Sequence, residues 1–184
     1  YEFTFQLARI LKQNPTIKLP FRRYQIGENF RDEPLRAGRT RQFTQCDVDI
    51  VGDPSTQADA ECIAVVCEIF KELGISAEVQ VNNRKLITSL IESVEINEKA
   101  AVMRELDKLE KIGEDLVKTN LKKYADANQI ITLFKLLGKD LAFFKENGFE
   151  GADELIKLAE YAKAYGISLK IRPRLCAASV TTPA

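Results

Sequence analysis

Between Phe30 and Gly52 the chain reads FRDEPLRAGRTRQFTQCDVDIVG, which sets Arg31, Arg36, Arg39 and Arg41 among Asp32, Glu33, Asp47 and Asp49. A guanidinium stays charged at any relevant pH and presents a planar fork of donors that matches phosphate or carboxylate. Arg31 reads as a strand residue, where a buried cation needs partners, and Glu33 two residues on shares its face. Arg39 falls in the loop beyond PLRAG, placed to reach across a ligand, and Phe43 opens the return strand with an aromatic face. Two guanidiniums and an aromatic plate suit a nucleotide, with phosphate against arginine and the base stacked on the ring. Gln45 and Asp49 lie an even number apart, so they face one side of a strand and could hold a cationic amino group. The competing reading is a surface hairpin with a solvated mixture of charges, which composition alone favours. Spacing alone leaves both open.

These residues need elements to position them. YQIGENFR and QFTQCDVDIVG alternate apolar and polar residues and predict two strands flanking the arginine loop. Ahead of them, Phe5, Leu7, Ala8, Ile10 and Leu11 predict a helix from about Thr4 to Lys12, which Thr4 could cap, and Pro15 and Pro20 break the loop that follows. Behind them, DPSTQADAECIAVVCEIFKELG predicts a helix capped by Asp53, with Pro54 in its first turn, Gly74 at its end and a buried stripe of Ile63, Val66, Phe70 and Leu73. ISAEVQVNN is a strand and RKLITSLIESV a helix. The texture changes after Val94, where successive helices divided by Gly113, Gly138, Gly148, Gly151 and Gly166 form an all-α module over residues 95–166. ISLKIRPRL then returns to strand-like alternation. The expectation is an α+β fold: an antiparallel sheet with flanking helices over residues 1–94, a helical insertion over 95–166, and a return strand and tail over 167–184. No G-x-G-x-x-G is present, so a Rossmann pattern is excluded.

Composition narrows the chemistry further. The 184 residues carry 27 basic and 27 acidic side chains and no histidine, which excludes triads and zinc sites that need imidazole. Cys46, Cys62, Cys67 and Cys176 form no C-x-x-C pair, and no metal or disulfide is assigned to them. No apolar run approaches a membrane span and YEFTFQLARI is not a signal peptide, so a cytoplasmic location is expected. The chain starts with Tyr1, and residues of the gene product are expected upstream of it.

FRDEPLRAGRTRQFTQCDVDIVG resembles the second signature motif of class II aminoacyl-tRNA synthetases, in the version of the histidyl-tRNA synthetase family. YEFT, LPFRRYQIG, VNNRKLI and LDKLEKIG extend the resemblance over nearly the whole chain, from Tyr1 to Leu175. The resemblance implies that Arg31 grips the ATP α-phosphate and the histidine carboxylate, that Glu33 and Arg39 contact ATP, and that Phe43 stacks on adenine. Glu2, Thr4, Gln45 and Asp49 would surround the amino group and imidazole of bound histidine, with Asp49 standing where many members have Glu. It further implies activation of histidine to histidyl-adenylate, transfer to tRNA-His, Mg2+ accompanying the ATP, and a homodimer. Lys108, Lys111, Lys118, Lys122 and Lys123 would touch the acceptor stem, although acidic neighbours make a solvated face an equal reading.

The tail departs from the family. Where members continue with a segment like LARGLDYYTG, carrying a catalytic arginine and imidazole-reading tyrosines, this chain has CAASVTTPA. Synonymous codons for that tail, read one frame over, can spell RGLSYYTG, which predicts a frameshift near Leu175. The expectation is therefore a part of a synthetase catalytic domain that is inactive alone. Two rivals are the synthetase-like regulatory subunit of ATP phosphoribosyltransferase, against which the intact motif and the helical insertion argue, and an RNA-binding module.

Overall fold

The computed structural model describes residues 2–32, 34–35 and 39–174 and the backbone of 179–181. Glu33, Arg36, Cys176 and most of the tail, with its expected frameshift, lie outside the described residues. The chain forms two units, residues 1–65 and 66–184.

The first unit is built on an antiparallel hairpin of β1 (Phe21–Phe30) and β2 (Gln42–Val51), paired from Phe21 opposite Val51 to Phe30 opposite Gln42. β1 inverts the usual alternation. Arg23, Gln25, Gly27 and Asn29 of β1 lie on the covered face, whereas Tyr24, Ile26 and Phe30 are 77%, 64% and 54% exposed. The cover comes from α1 (Phe3–Gln13), whose Phe3 and Leu7 are buried and whose remaining face is exposed. Phe3 seats directly on Gly27: a Cβ there would stand 3.2 Å from the ring's Cζ. Burial of two such side chains stabilises the docking by about 1.5–3 kcal/mol each.

Several details differ from the sequence expectation. Glu2, not Thr4, occupies the N-cap position of α1, and it makes no side-chain cap bond. Thr4 sits inside the first turn, exposed, so it caps nothing. β1 ends at Phe30, so Arg31 lies one residue beyond the strand, although its N–H still donates to the Arg41 carbonyl at 2.9 Å. The helix after the hairpin, α2 (Thr56–Glu72), begins later than expected. Asp53 does not cap it, because its Oδ1 accepts from the Ser55 N–H at 3.0 Å in an Asx turn ahead of the helix. Gly74 does close it, with φ of 68° and Ile75 N–H donating back to the Phe70 carbonyl at 2.8 Å. Within α2 the buried residues are Ala58 and Ala60; of the expected stripe, Ile63, Val66 and Phe70 are half-buried and Leu73, just past the helix, is 65% exposed.

The second unit follows the ordinary rule of apolar inside and polar outside. β3 (Glu78–Val81) pairs in parallel with β4 (Leu169–Ile171) and antiparallel with β5 (Ser179–Thr181). The described strands thus form two sheets rather than the single sheet expected. Between β3 and β4 the chain is helical: α3 (Arg84–Ser93), α4 (Lys99–Leu106), α5 (Leu109–Ile112), α6 (Glu114–Leu121), α7 (Ala127–Leu137), α8 (Leu141–Glu146) and α9 (Ala152–Ala164). Leu86, Ile87, Leu90 and Ile91 of α3 fall at i, i+1, i+4 and i+5, and all are buried with Val102, Leu106, Leu121 and Leu133. Three of these helices, α3, α7 and α8, carry side-chain caps. Asn83 Oδ1 accepts from Lys85 N–H at 2.9 Å, and Asp126 and Gln129 form a reciprocal capping box.

Candidate functional site

The covered face of the hairpin is a stripe of hydrogen-bonding side chains, contributed alternately by the two strands. At one end Arg31 is held on three sides. Its Nε lies 3.0 Å from Glu2 Oε1, an ion pair by proximity rather than an aligned hydrogen bond. Its Nη2 donates to Gln45 Oε1 at a long 3.4 Å, and its Cζ stands 5.1 Å from the centroid of the Phe43 ring. That last distance is within the range of a cation–π contact. Arg31 and Glu2 remain 37% and 41% exposed, so the pair is open to solvent and to an incoming anion.

Gln45 links this end to the middle of the stripe. Its Nε2 donates to Asp47 Oδ1 at 2.5 Å, while its Oε1 also accepts from Asn29 Nδ2. At the far end Asp49 is tied to Arg23, whose Nε donates to Asp49 Oδ2 at 2.8 Å and whose Nη1 donates to Gln25. Arg23 is only 11% exposed and Asp49 30%. A largely buried guanidinium needs such a partner, because the desolvation cost of a lone charge exceeds what a surface pair returns.

Of the residues picked out by sequence, the structure brings Glu2, Arg31, Phe43 and Gln45 together. Asp49 shares their face but is engaged by Arg23, and Thr4 is exposed in the first turn of α1. Arg39 is exposed in the loop, and Arg41 there lies 3.7 Å from Asp32. Sequence reasoning gave no role to Arg23, Gln25, Asn29 or Asp47. The signal was available: in FRRYQIGENF every second position from Arg23 is polar or glycine, the same period of two that singled out Gln45 and Asp49.

Elsewhere the chemistry is quieter. Burial pushes the Cys62 and Cys67 thiols above their ordinary values, in Cys62 with help from Asp59 and Glu61, so both are poor nucleophiles. Among the described residues no cluster of three His, Cys, Asp or Glu side chains could hold a metal ion, and no helix is long and apolar enough to cross a membrane. Of the lysines considered for RNA contact, Lys108 pairs with Glu105 and Lys118 with Glu114, while Lys111, Lys122 and Lys123 are exposed.

A family profile described as histidyl-tRNA synthetase matches residues 1–172. The chain is 40% identical to histidine–tRNA ligase 1 of Bacillus cereus, over 91% of its own length and 42% of that protein's. It is 42% identical to the histidine–tRNA ligase of Korarchaeum cryptofilum, over 71% of this chain and 31% of that protein. In three dimensions it resembles the crystal structure of histidyl-tRNA synthetase from Nostoc sp. PCC 7120, with a TM-score of 0.89 and 26% identity, covering 99% of this chain and 49% of that one. A protein of Bacillus halodurans C described as an ATP phosphoribosyltransferase regulatory subunit/histidyl-tRNA synthetase shares the fold, with a TM-score of 0.79 at 20% identity over 98% of this chain and 53% of that one. The chain thus spans less than half the length of the curated relatives it matches. The mixed α and β architecture, the arginine-anchored hairpin and a profile match over nearly the whole chain agree, and this protein belongs to the histidyl-tRNA synthetase family.

Proposed function

We propose that the chain supplies the ATP- and histidine-facing part of a histidine–tRNA ligase. The observation that carries this reading is Arg31, a guanidinium set against the Phe43 ring and within reach of Glu2 and Gln45. In the reaction a carboxylate oxygen of histidine attacks the ATP α-phosphorus, the bond to the β-phosphate oxygen breaks, and pyrophosphate leaves. A hydroxyl of the terminal ribose of tRNA-His then attacks the histidyl carbonyl of this adenylate, the mixed-anhydride bond breaks, and AMP leaves. Bringing two anions together needs charge neutralisation and alignment, which a fixed guanidinium provides.

In this proposal Arg31 bridges the α-phosphate and the histidine carboxylate, releasing Glu2 to the substrate ammonium. Gln45 and Asp49 bind polar groups of histidine, with Thr4 at the rim. Phe43 stacks on adenine, and Arg39 and Glu33 contact ATP. Magnesium would accompany the ATP phosphates as their counter-ion. Residues 95–166 form an inserted helical module, a reading supported by helices α4–α9 lying between the paired strands β3 and β4. Its exposed lysines face tRNA, the working assembly is a homodimer, and the location is cytoplasmic. These 184 residues alone bind ATP and histidine without turnover, because residues 176–184 contain neither arginine nor tyrosine.

The test has two arms. Titration calorimetry on the 184-residue chain should show binding of ATP and of L-histidine, both weakened by Arg31→Ala; a chain that binds neither would overturn the reading. A chimera carrying residues 1–174 in place of the matching segment of the Bacillus cereus ligase should catalyse histidine-dependent ATP–pyrophosphate exchange. Exchange that ignores histidine would point to another substrate.

A further inference from the structure

Asn29 has no role in the reading above, yet it is 0% exposed and stands two residues from Arg31 on the polar stripe. Its Nδ2 donates to Gln45 Oε1, while its Oδ1 is buried with no hydrogen-bond partner. Such an orphan acceptor is unusual in a folded interior, where nine in ten or more buried polar groups are paired. An apolar side chain of similar size would remove the orphan without leaving Gln45 Oε1 unpaired, since Arg31 Nη2 also reaches that atom. Stability therefore does not explain an asparagine here.

The donor and acceptor chemistry does. Gln45 stands between Asp47, whose carboxylate can only accept, and Arg31, whose guanidinium can only donate. Its amide must point Nε2 toward Asp47 and Oε1 toward Arg31. With Oε1 so directed, position 29 must offer a donor, and the Asn29 Nδ2 is that donor. The Arg31 contact alone is long at 3.4 Å and would leave the Gln45 carboxamide loosely held. We propose that Asn29 is a positioning residue for the amino acid substrate: it locks the Gln45 carboxamide in one orientation from beneath, so that Gln45 and Arg31 meet the substrate as one preset unit. This rests on the assignment of Gln45 to the histidine site. Asn29 itself does not touch substrate, because its free oxygen is closed off from solvent.

Two substitutions separate the role from simple packing. Asn29→Leu removes the donor and the orphan together. Asn29→Asp keeps the shape but replaces the donor with an acceptor, which sets a carboxylate against Gln45 Oε1 and drives the amide to flip. The side-chain amide resonances of Gln45, assigned through Gln45→Glu, report the orientation directly in the 184-residue chain. In the unsubstituted chain they should form one pair protected from solvent exchange. Asn29→Leu should melt no lower than the parent, lose that protection, and bind L-histidine about tenfold more weakly while ATP binding changes less than twofold. Asn29→Asp should move the Gln45 resonances to a new position.

Unchanged Gln45 resonances and exchange in Asn29→Leu would overturn the proposal, whatever happens to histidine binding. A lower melting temperature with Gln45 and histidine affinity unaffected would do the same, since it would make Asn29 purely structural. If the parent chain binds no L-histidine but Asn29→Leu still frees the Gln45 amide, the positioning role stands and the histidine assignment falls.

Discussion

The hairpin of the first unit and the helices of the second solve opposite problems. In α3 the residues facing inward are Leu86, Ile87, Leu90 and Ile91, all 0–1% exposed, and the charged ones face out. In β1 the inward face holds Arg23, Gln25 and Asn29, and the apolar residues Tyr24, Ile26 and Phe30 face out. Burying arginine and asparagine stabilises little, because desolvation offsets the attraction they gain. The helices are built to hold a shape, and the hairpin to hold a set of donors and acceptors at fixed spacing. Regions that break the local rules of folding are where function is expected, and here the break runs along β1 from Arg23 to Asn29.

If that contrast is right, substitutions in the two regions should separate stability from activity. The largest effect is expected at Arg31. In the chimeric ligase, Arg31→Ala should lower histidine-dependent pyrophosphate exchange by about 10²–10³-fold, on the order of 3–4 kcal/mol, with little change in the melting temperature. A matching loss of stability would erase the distinction between the regions.

The mirror experiment is Leu90→Ala in α3, where a side chain with no exposure leaves a cavity. It should cost about 2–5 kcal/mol in urea unfolding and leave ATP and histidine affinities of the folded protein unchanged. Gly27→Ala tests the seam between packing and site. The new methyl meets Phe3 Cζ at 3.2 Å, so the Phe3 ring must give by a few tenths of an ångström, and a shift of α1 in response would carry Glu2 with it. A destabilisation of about 1 kcal/mol is expected, together with weaker histidine binding. Loss of stability alone would show that Glu2 is not held by the docking of α1.

The smallest effect concerns pH. Glu154 of α9 is held below the ordinary glutamate value by the Lys85 ammonium first and the Asn83 amide second. A depressed carboxyl stabilises the fold above its unfolded value of about 4.5 and loses that contribution as pH falls through its folded pKa. On the alkaline side, Glu154 raises Lys85 above the ordinary lysine value, so that share is present below the unfolded value and lost as pH climbs through the raised one. Glu154→Gln should therefore flatten the acid limb of the melting curve against pH, by no more than about 2 °C for so exposed a pair. An unchanged acid limb would assign acid sensitivity elsewhere, with Glu61, depressed by its hydrogen bond to Arg22, the next candidate.

The sequence by itself determined the helices, because their apolar spacing is dense and their ends are punctuated by residues such as Asn83, Asp126 and Gly74. It also determined the two strands of the hairpin and the shared side of Gln45 and Asp49, since a period of two needs no partner to be read. It misplaced the start of α2, because an Asx turn at Asp53 and a cap look alike in one dimension, and it buried Leu73, which lies just past the helix end and is exposed. What only the tertiary structure decided is which face of the hairpin is covered. Hydropathy argues for Tyr24, Ile26 and Phe30, yet α1 docks through Phe3 on Gly27, where the missing Cβ leaves room for a ring. That docking brings Glu2 to Arg31 from 29 residues away, a proximity that no local pattern encodes.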